Sequence, residues 1–139
     1  MNITQISAED ALPIRHQVLW PDKPIAFCCV DEDEAGIHFG VYLGQQLVSV
    51  TSIYIDGTQA RLRKFATLND YQGQGIGTAL IKHVLAYLAR CKIQYLWCDA
   101  RESACLFYER LGFEVFGERF FKSNVPYFKM SINLKSLNK

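Results

Sequence analysis

The 139-residue sequence carries almost no net charge, 15 basic against 14 acidic side chains for a formal +1. That balance excludes the strongly basic surface expected of a chain whose main partner is nucleic acid or an anionic membrane. It also lacks an apolar run of membrane-spanning length and a basic segment leading into an apolar core at its start. Neither a spanning helix nor a secretory leader is therefore expected, and the chain is placed in the cytoplasm. Its cysteines, Cys28, Cys29, Cys91, Cys98 and Cys105, show neither C-x-x-C nor Cys/His metal spacing, so no disulfide framework and no metal centre is expected. Cys91, Cys98 and Cys105 fall on expected apolar faces, as buried reduced thiols do. No repeat, linker or low-complexity stretch interrupts the chain. Residues 1–139 are expected to form one domain that buries roughly two thirds of its unfolded surface.

What is present centres on Ala60 to Leu88. A strand-like run, ARLRKFAT, feeds a glycine-rich loop, QGQGIGT, and then an amphipathic helix in which Ile76, Leu80, Val84, Tyr87 and Cys91 recur at three- or four-residue spacing. Gly73, Gly75 and Gly77 remove side chains where the helix begins, so unpaired backbone N–H groups and the positive end of the helix dipole can face a polyanion. No lysine stands between Gly73 and Thr78, which excludes a Walker-type phosphate loop. A dinucleotide fingerprint fits better, because Asp99 stands at a suitable distance, but the glycines run G-x-G-x-G and Leu68 to Gln72 separate strand from loop. A glycine-rich turn without a ligand is the plainest reading.

In chain order, Asn2 to Ile6 reads as a strand, and Ser7 or Asp10 caps a helix with Ala11, Ile14, Val18 and Leu19 on one face, ended by Pro21 and Pro24. The acidic run Asp31 to Glu34 reads as a solvated face, or as carboxylates that attract a cationic amine. Alternation from Gly36, a turn at Gly44 to Gln46 and a second at Asp56-Gly57 predict an antiparallel meander ending in Ala60 to Thr67. The helix after the glycine loop makes Ile93 to Ala100 a parallel partner of that strand, the only parallel pair expected. Ser103 to Leu111 reads as a short helix closed by Gly112, and Phe113 to Phe121 and Pro126 to Leu134 read as the last two strands. Treated as an edge, Pro126 to Leu134 offers a route to a homodimer. One strand-helix-strand unit among hairpins does not make a doubly wound dinucleotide domain.

Two segments carry a resemblance. Gln72, Gly75 and Gly77 match the pattern [RQ]-x-x-G-x-[GA] within LRKFATLNDYQGQGIGTALI, and DARESACLFYERLGFEVFGERF places a tyrosine before a leucine-glycine-phenylalanine turn. In that order they resemble the two successive motifs of the GCN5-related N-acetyltransferase (GNAT) superfamily. The resemblance implies the acyl-CoA N-acyltransferase fold: mixed α/β, with a mostly antiparallel sheet of about seven strands, one splayed parallel pair and three to four helices. It implies acetyl-CoA as cosubstrate, lodged where the strands ending near Thr67 and Ala100 part. The implied activity is acetyl transfer to a primary amine of a small molecule or protein by direct attack in a ternary complex. A non-catalytic acyl-CoA-binding module is the alternative, and a dinucleotide-binding oxidoreductase a third.

Acyl transfer needs a held donor, a polarised carbonyl, a neutral amine and a proton for the leaving thiolate. By resemblance, the backbone of Gln72, Gly73, Gln74, Gly75, Ile76, Gly77 and Thr78 binds the pyrophosphate. The resemblance also puts a bulge near Phe65, Ala66 and Thr67, whose backbone pairs with the pantetheine arm. It places the Tyr108 phenol near the sulfur as general acid, whereas helical spacing with Ala104, Phe107 and Leu111 alone makes Tyr108 a core aromatic. Arg63 and Lys64 occupy the strand where many relatives carry a carboxylate, so His38 and Asp99 are the candidate bases, with a water chain as the other route. Arg101 stands seven residues before Tyr108, in place of the family's asparagine, and Thr67 replaces an aliphatic residue.

Overall fold

The computed structural model describes residues 1–135. Seven strands, β1 (Asn2–Ile6), β2 (Ile37–Leu43), β3 (Gln46–Asp56), β4 (Gln59–Thr67), β5 (Tyr95–Arg101), β6 (Glu114–Lys122) and β7 (Val125–Asn133), form one sheet in the order β1-β2-β3-β4-β5-β7-β6. Three α-helices, α1 (Ala8–Leu19), α2 (Ile76–Arg90) and α3 (Cys105–Arg110), are joined by short 3-10 turns. β1 with β2, β2 with β3, β5 with β7 and β6 with β7 pair antiparallel, and β4 with β5 pairs parallel, which is the mixed sheet expected and not a doubly wound one. β7 lies between β5 and β6. The expectation that Pro126 to Leu134 is an edge is therefore corrected: the edges are β1 and β6.

Two compact units divide the chain. The first comprises Met1–Tyr54 and Arg63–Val84. Its helix α1 starts where Ser7 Oγ accepts from the Asp10 amide at 3.0 Å, a cap that contributes about 1 kcal/mol. Ala11 and Ile14 pack with Val50 and Ala66, and Val18 and Leu19 lie against that cluster. Arg15, next to Ile14, is also fully buried, which helical spacing of apolar residues did not announce.

The second unit comprises Ile55–Leu62 and the chain from Leu85 onward. Leu96, Cys98 and Ala100 alternate into its core with Met130, Phe113 and Tyr108. The end of α2 is closed by Lys92 at φ 65°, with the Ile93 amide donating to Leu88 O at 3.1 Å and the Lys92 amide to Ala89 O at 3.1 Å. α3 ends in the same motif, with Gly112 at φ 101° and the Phe113 amide on Tyr108 O at 3.1 Å.

The apolar face of α2 differs from the expected one. Ile76, Leu80, Ile81, Val84, Leu85, Leu88 and Ala89 are buried, whereas Tyr87 is half-buried and Cys91 is exposed beyond the helix end. The buried stripe is wider than the expected one and leaves the flanking Tyr87 only half-buried. Cys105 is half-buried, so of the three thiols expected inside only Cys98 is fully so, and burial pushes that thiol up to about 12.

Candidate active site

In the first unit the glycine loop is tied to β4 by its own side chains. Gln72 Nε2 donates to Thr67 O at 2.8 Å and to Asn69 Oδ1 at 3.2 Å, and Gln74 Nε2 donates to Asp70 O at 3.2 Å. The Gln72 amide itself donates to Asn69 O at 3.3 Å. Gly73 and Gly75 then take φ of 75° and 82°, with open space where a Cβ would stand. Glycine is required there by the backbone conformation and not by crowding.

The first helical bond of α2 runs from the Ala79 amide to Gly75 O at 3.0 Å. Among the described residues, the amides of Gly73, Gln74 and Gly75 enter no turn or loop backbone bond, and those of Ile76, Gly77 and Thr78 are first-turn donors without an intrahelical acceptor. Six successive N–H groups at the positive end of a 15-residue helix suit an anion.

Gly77 faces a different constraint. A Cβ on it would stand 2.8 Å from Phe65 Cζ and 3.5 Å from Thr67 Oγ1, so its lack of a side chain lets the first turn lie close against β4. Within β4, Lys64 takes a left-handed φ of 57°. That interrupts the two-residue alternation just before Phe65, as a bulge does. Ser49 braces the segment, donating to Ala66 O at 3.2 Å and lying 2.8 Å from Thr67 Oγ1. The parallel register of β4 with β5 spans only Gln59↔Tyr95 to Leu62↔Cys98, while β4 continues to Thr67 and β5 to Arg101. Beyond Cys98, β5 stays paired with β7.

His38 also lies in the first unit, buried, with both ring nitrogens engaged. Nε2 is 2.9 Å from Asp33 O, which can only accept, so Nε2 carries the proton. Nδ1 then accepts from Ser52 Oγ at 2.6 Å, and Ser52 Oγ accepts in turn from Arg15 at 2.9 Å. Arg15 donates to both oxygens of Asp33 at 2.9 and 3.0 Å and to Cys28 O at 3.1 Å, and Tyr54 Oη donates to Asp33 Oδ1 at 2.6 Å. Burial alone would raise the Asp33 carboxyl, but its bonds from Arg15, Tyr54 and the Val30 amide outweigh that and hold it well below the usual carboxylate range. Tyr54 is pushed up to about 12 by burial and by its bond to Asp33. The acidic run is thus not simply solvated: Asp33 neutralises a buried arginine, and Glu32 lies 3.9 Å from Arg63.

Asp99 and Tyr108 belong to the second unit. The Asp99 carboxylate is 7% exposed and meets Arg61 at 2.8 Å, Lys122 at 2.8 Å and Lys129 at 3.1 Å. Burial pushes its pKa up, the three cations push it down, and the net direction is down. A carboxylate so compensated is a weak proton acceptor at neutral pH. Tyr108 is buried between Phe107 and Phe113, each with its ring centroid 5.2 Å away. Burial raises its pKa well above the ordinary phenol value, followed by the Cys98 and Cys105 thiols, so the phenol stays protonated.

The structure therefore joins Phe65, Thr67, Gln72 and Gly77 into one support for the loop, and ties His38 and Asp99 into separate ion and hydrogen-bond networks. Sequence reading missed Arg15, Ser52 and Tyr54 around His38, and Lys122 and Lys129 around Asp99. A signal existed only for the last, since an i-to-j pairing of β5 with β7 would have set Asp99 opposite Lys129.

Residues 30–134 match the family model of the acetyltransferase (GNAT) domain. The chain is 36% identical over 129 residues to an uncharacterized N-acetyltransferase of Bacillus subtilis (strain 168), YitI, covering 86% of this chain and 87% of that one. It is 30% identical over 103 residues to the ribosomal protein bS18-alanine N-acetyltransferase of Escherichia coli (strain K12), covering 70% of this chain and 66% of that one. The crystal structure of the ribosomal-protein-S18-alanine N-acetyltransferase from Escherichia coli superposes with a TM-score of 0.82 at 20% identity, over 96% of this chain and 93% of that one. With the row of backbone N–H groups before α2 and the short parallel register of β4 with β5, these matches establish that the chain belongs to the GNAT family, as an acyltransferase whose cosubstrate is acetyl-CoA.

Proposed function

We propose that this protein transfers the acetyl group of acetyl-CoA directly to a primary amine, in a ternary complex and in the cytoplasm, where its free cysteines would stay reduced. The observation that carries the reading is the row of N–H groups from Gly73 to Thr78 without backbone acceptors at the start of α2. Those amides would hold the pyrophosphate, Gln72 would brace the loop, and the backbone of Phe65, Ala66 and Thr67 would line the pantetheine arm. As the amine forms its bond to the acetyl carbon, the carbon–sulfur bond breaks and the Tyr108 phenol gives its proton to the departing thiolate. The amine proton passes to water, since His38 and Asp99 are held by partners of their own. A relative that acetylates the alanine of a ribosomal protein supports a protein amine as one acceptor class.

Thermal unfolding should rise with acetyl-CoA and not with NAD. Thiol release with small amines and with peptides bearing a free N-terminal amine then tests direct transfer and its acceptor class. Release that depends on an amine supports the transferase. Stabilisation by acetyl-CoA without release for any amine, or no stabilisation at all, contradicts the proposal.

A further inference from the structure

The cations around Asp99 exceed what one carboxylate needs. Strand register builds the group: Arg61 pairs with Trp97 across β4 and β5, Asp99 with Lys129 across β5 and β7, and Phe120 with Tyr127 across β6 and β7. Asp99 Oδ2 takes Arg61 and Lys122, and Oδ1 takes Lys129. Lys122 and Lys129 alone bring two positive charges to a carboxylate that already meets Arg61. A single cation would neutralise the carboxylate. The surplus is a standing repulsion that an added anion would relieve.

The ammonium groups are also held in position. Lys129 Nζ stands 4.9 Å from the Trp97 ring centroid and 5.2 Å from that of Phe120, and Lys122 Nζ stands 4.9 Å from that of Tyr127. Cation–π contact fixes each charge without consuming its N–H groups. Each ammonium has three donors, of which Asp99 takes one. The lysine side chains are 41% and 42% exposed, against 7% for Asp99, so the spare donors reach solvent while the carboxylate does not.

We propose that Lys122 and Lys129, positioned by Asp99 and the aromatic rings beside them, form a binding site for the oxyanion group, carboxylate or phosphate, of a small organic anion. The site stands on the second unit alone and does not rest on acetyl transfer, so either reading can fail without the other.

Trp97 reports on it directly. The chain has two tryptophans, so Trp20→Phe leaves Trp97 as the sole indole. Its fluorescence is followed while benzoate or phenyl phosphate is added at constant ionic strength, the two arms separating carboxylate from phosphate. A saturable change is expected with at least one of them, with affinity falling about tenfold or more in Lys122→Gln and in Lys129→Gln. Both variants should keep the parent's cooperative melt and its stabilisation by acetyl-CoA. A response that does not saturate, or one that saturates equally in both lysine variants, overturns the proposal.

Discussion

The ring of Phe65 lies so close to Gly77 that a Cβ at Gly77 would stand 2.8 Å from Phe65 Cζ. Strand and helix meet there without a side chain between them, which sets how near the first turn of α2 comes to β4. Gly77→Ala should therefore push the ring or the helix start aside, weakening acetyl-CoA binding by about tenfold or more. Gly75→Ala meets no atom but must hold φ 82°, costing about 1–2 kcal/mol of stability. Calorimetric titration with acetyl-CoA alongside thermal melts checks both. Unchanged affinity in Gly77→Ala would contradict the close-approach account.

Tyr108→Phe removes only a hydroxyl from a buried ring. The proposed acid role predicts a fall in kcat of about a hundredfold or more with the KM for acetyl-CoA nearly unchanged. Because burial raises the phenol's pKa, kcat should not lose the acid below about pH 10, the ordinary tyrosine value. Initial-rate kinetics across pH tests this, and full turnover in the variant would return Tyr108 to the role of a core aromatic.

Asp33 compensates an arginine whose side chain is 0% exposed. Asp33→Asn should cost about 3–5 kcal/mol, the usual penalty for leaving a buried charge alone. The pH dependence has a definite sign. The folded-state pKa of Asp33 lies below its unfolded value, so its stabilisation is complete above the unfolded value of about 4 and is lost as pH falls through the folded value. The gap in unfolding free energy between parent and variant should be widest near neutrality and close on acidification, as read from urea melts at several pH values.

His38 is held by Ser52 and by the Asp33 carbonyl. His38→Ala should lower stability by about 1–3 kcal/mol, because two buried polar groups lose their partner. Turnover per folded molecule should stay within about threefold of the parent at saturating amine, well short of the loss expected for removal of a general base. Rate assays normalised to the folded fraction decide this, and a hundredfold loss would restore His38 as the base.

Much of the architecture was legible because it is written locally. Alternation in β2 to β4, turn residues such as Gly57, the Ser7 cap and the glycines before α2 each act within a few positions of themselves. The parallel pairing of β4 with β5 followed from a helix standing between two strands. The Arg15, Asp33, Ser52 and His38 network was not legible. Arg15 and Asp33 are 18 positions apart and Arg15 and Ser52 are 37 apart, and an arginine on a helix otherwise reads as solvated. The surplus of cations on Asp99 was hidden for the same reason, since it depends on strand order β5-β7-β6, which places the last strand inside and not at the edge.

The amide cradle itself can be read residue by residue from backbone N–H resonances during a titration with acetyl-CoA. The largest saturable shifts should fall on Gly73 through Thr78, reproduced by desacetyl-CoA and absent with pantetheine, which lacks the pyrophosphate. Tight acetyl-CoA binding that leaves those six amides unmoved would contradict that placement of the pyrophosphate.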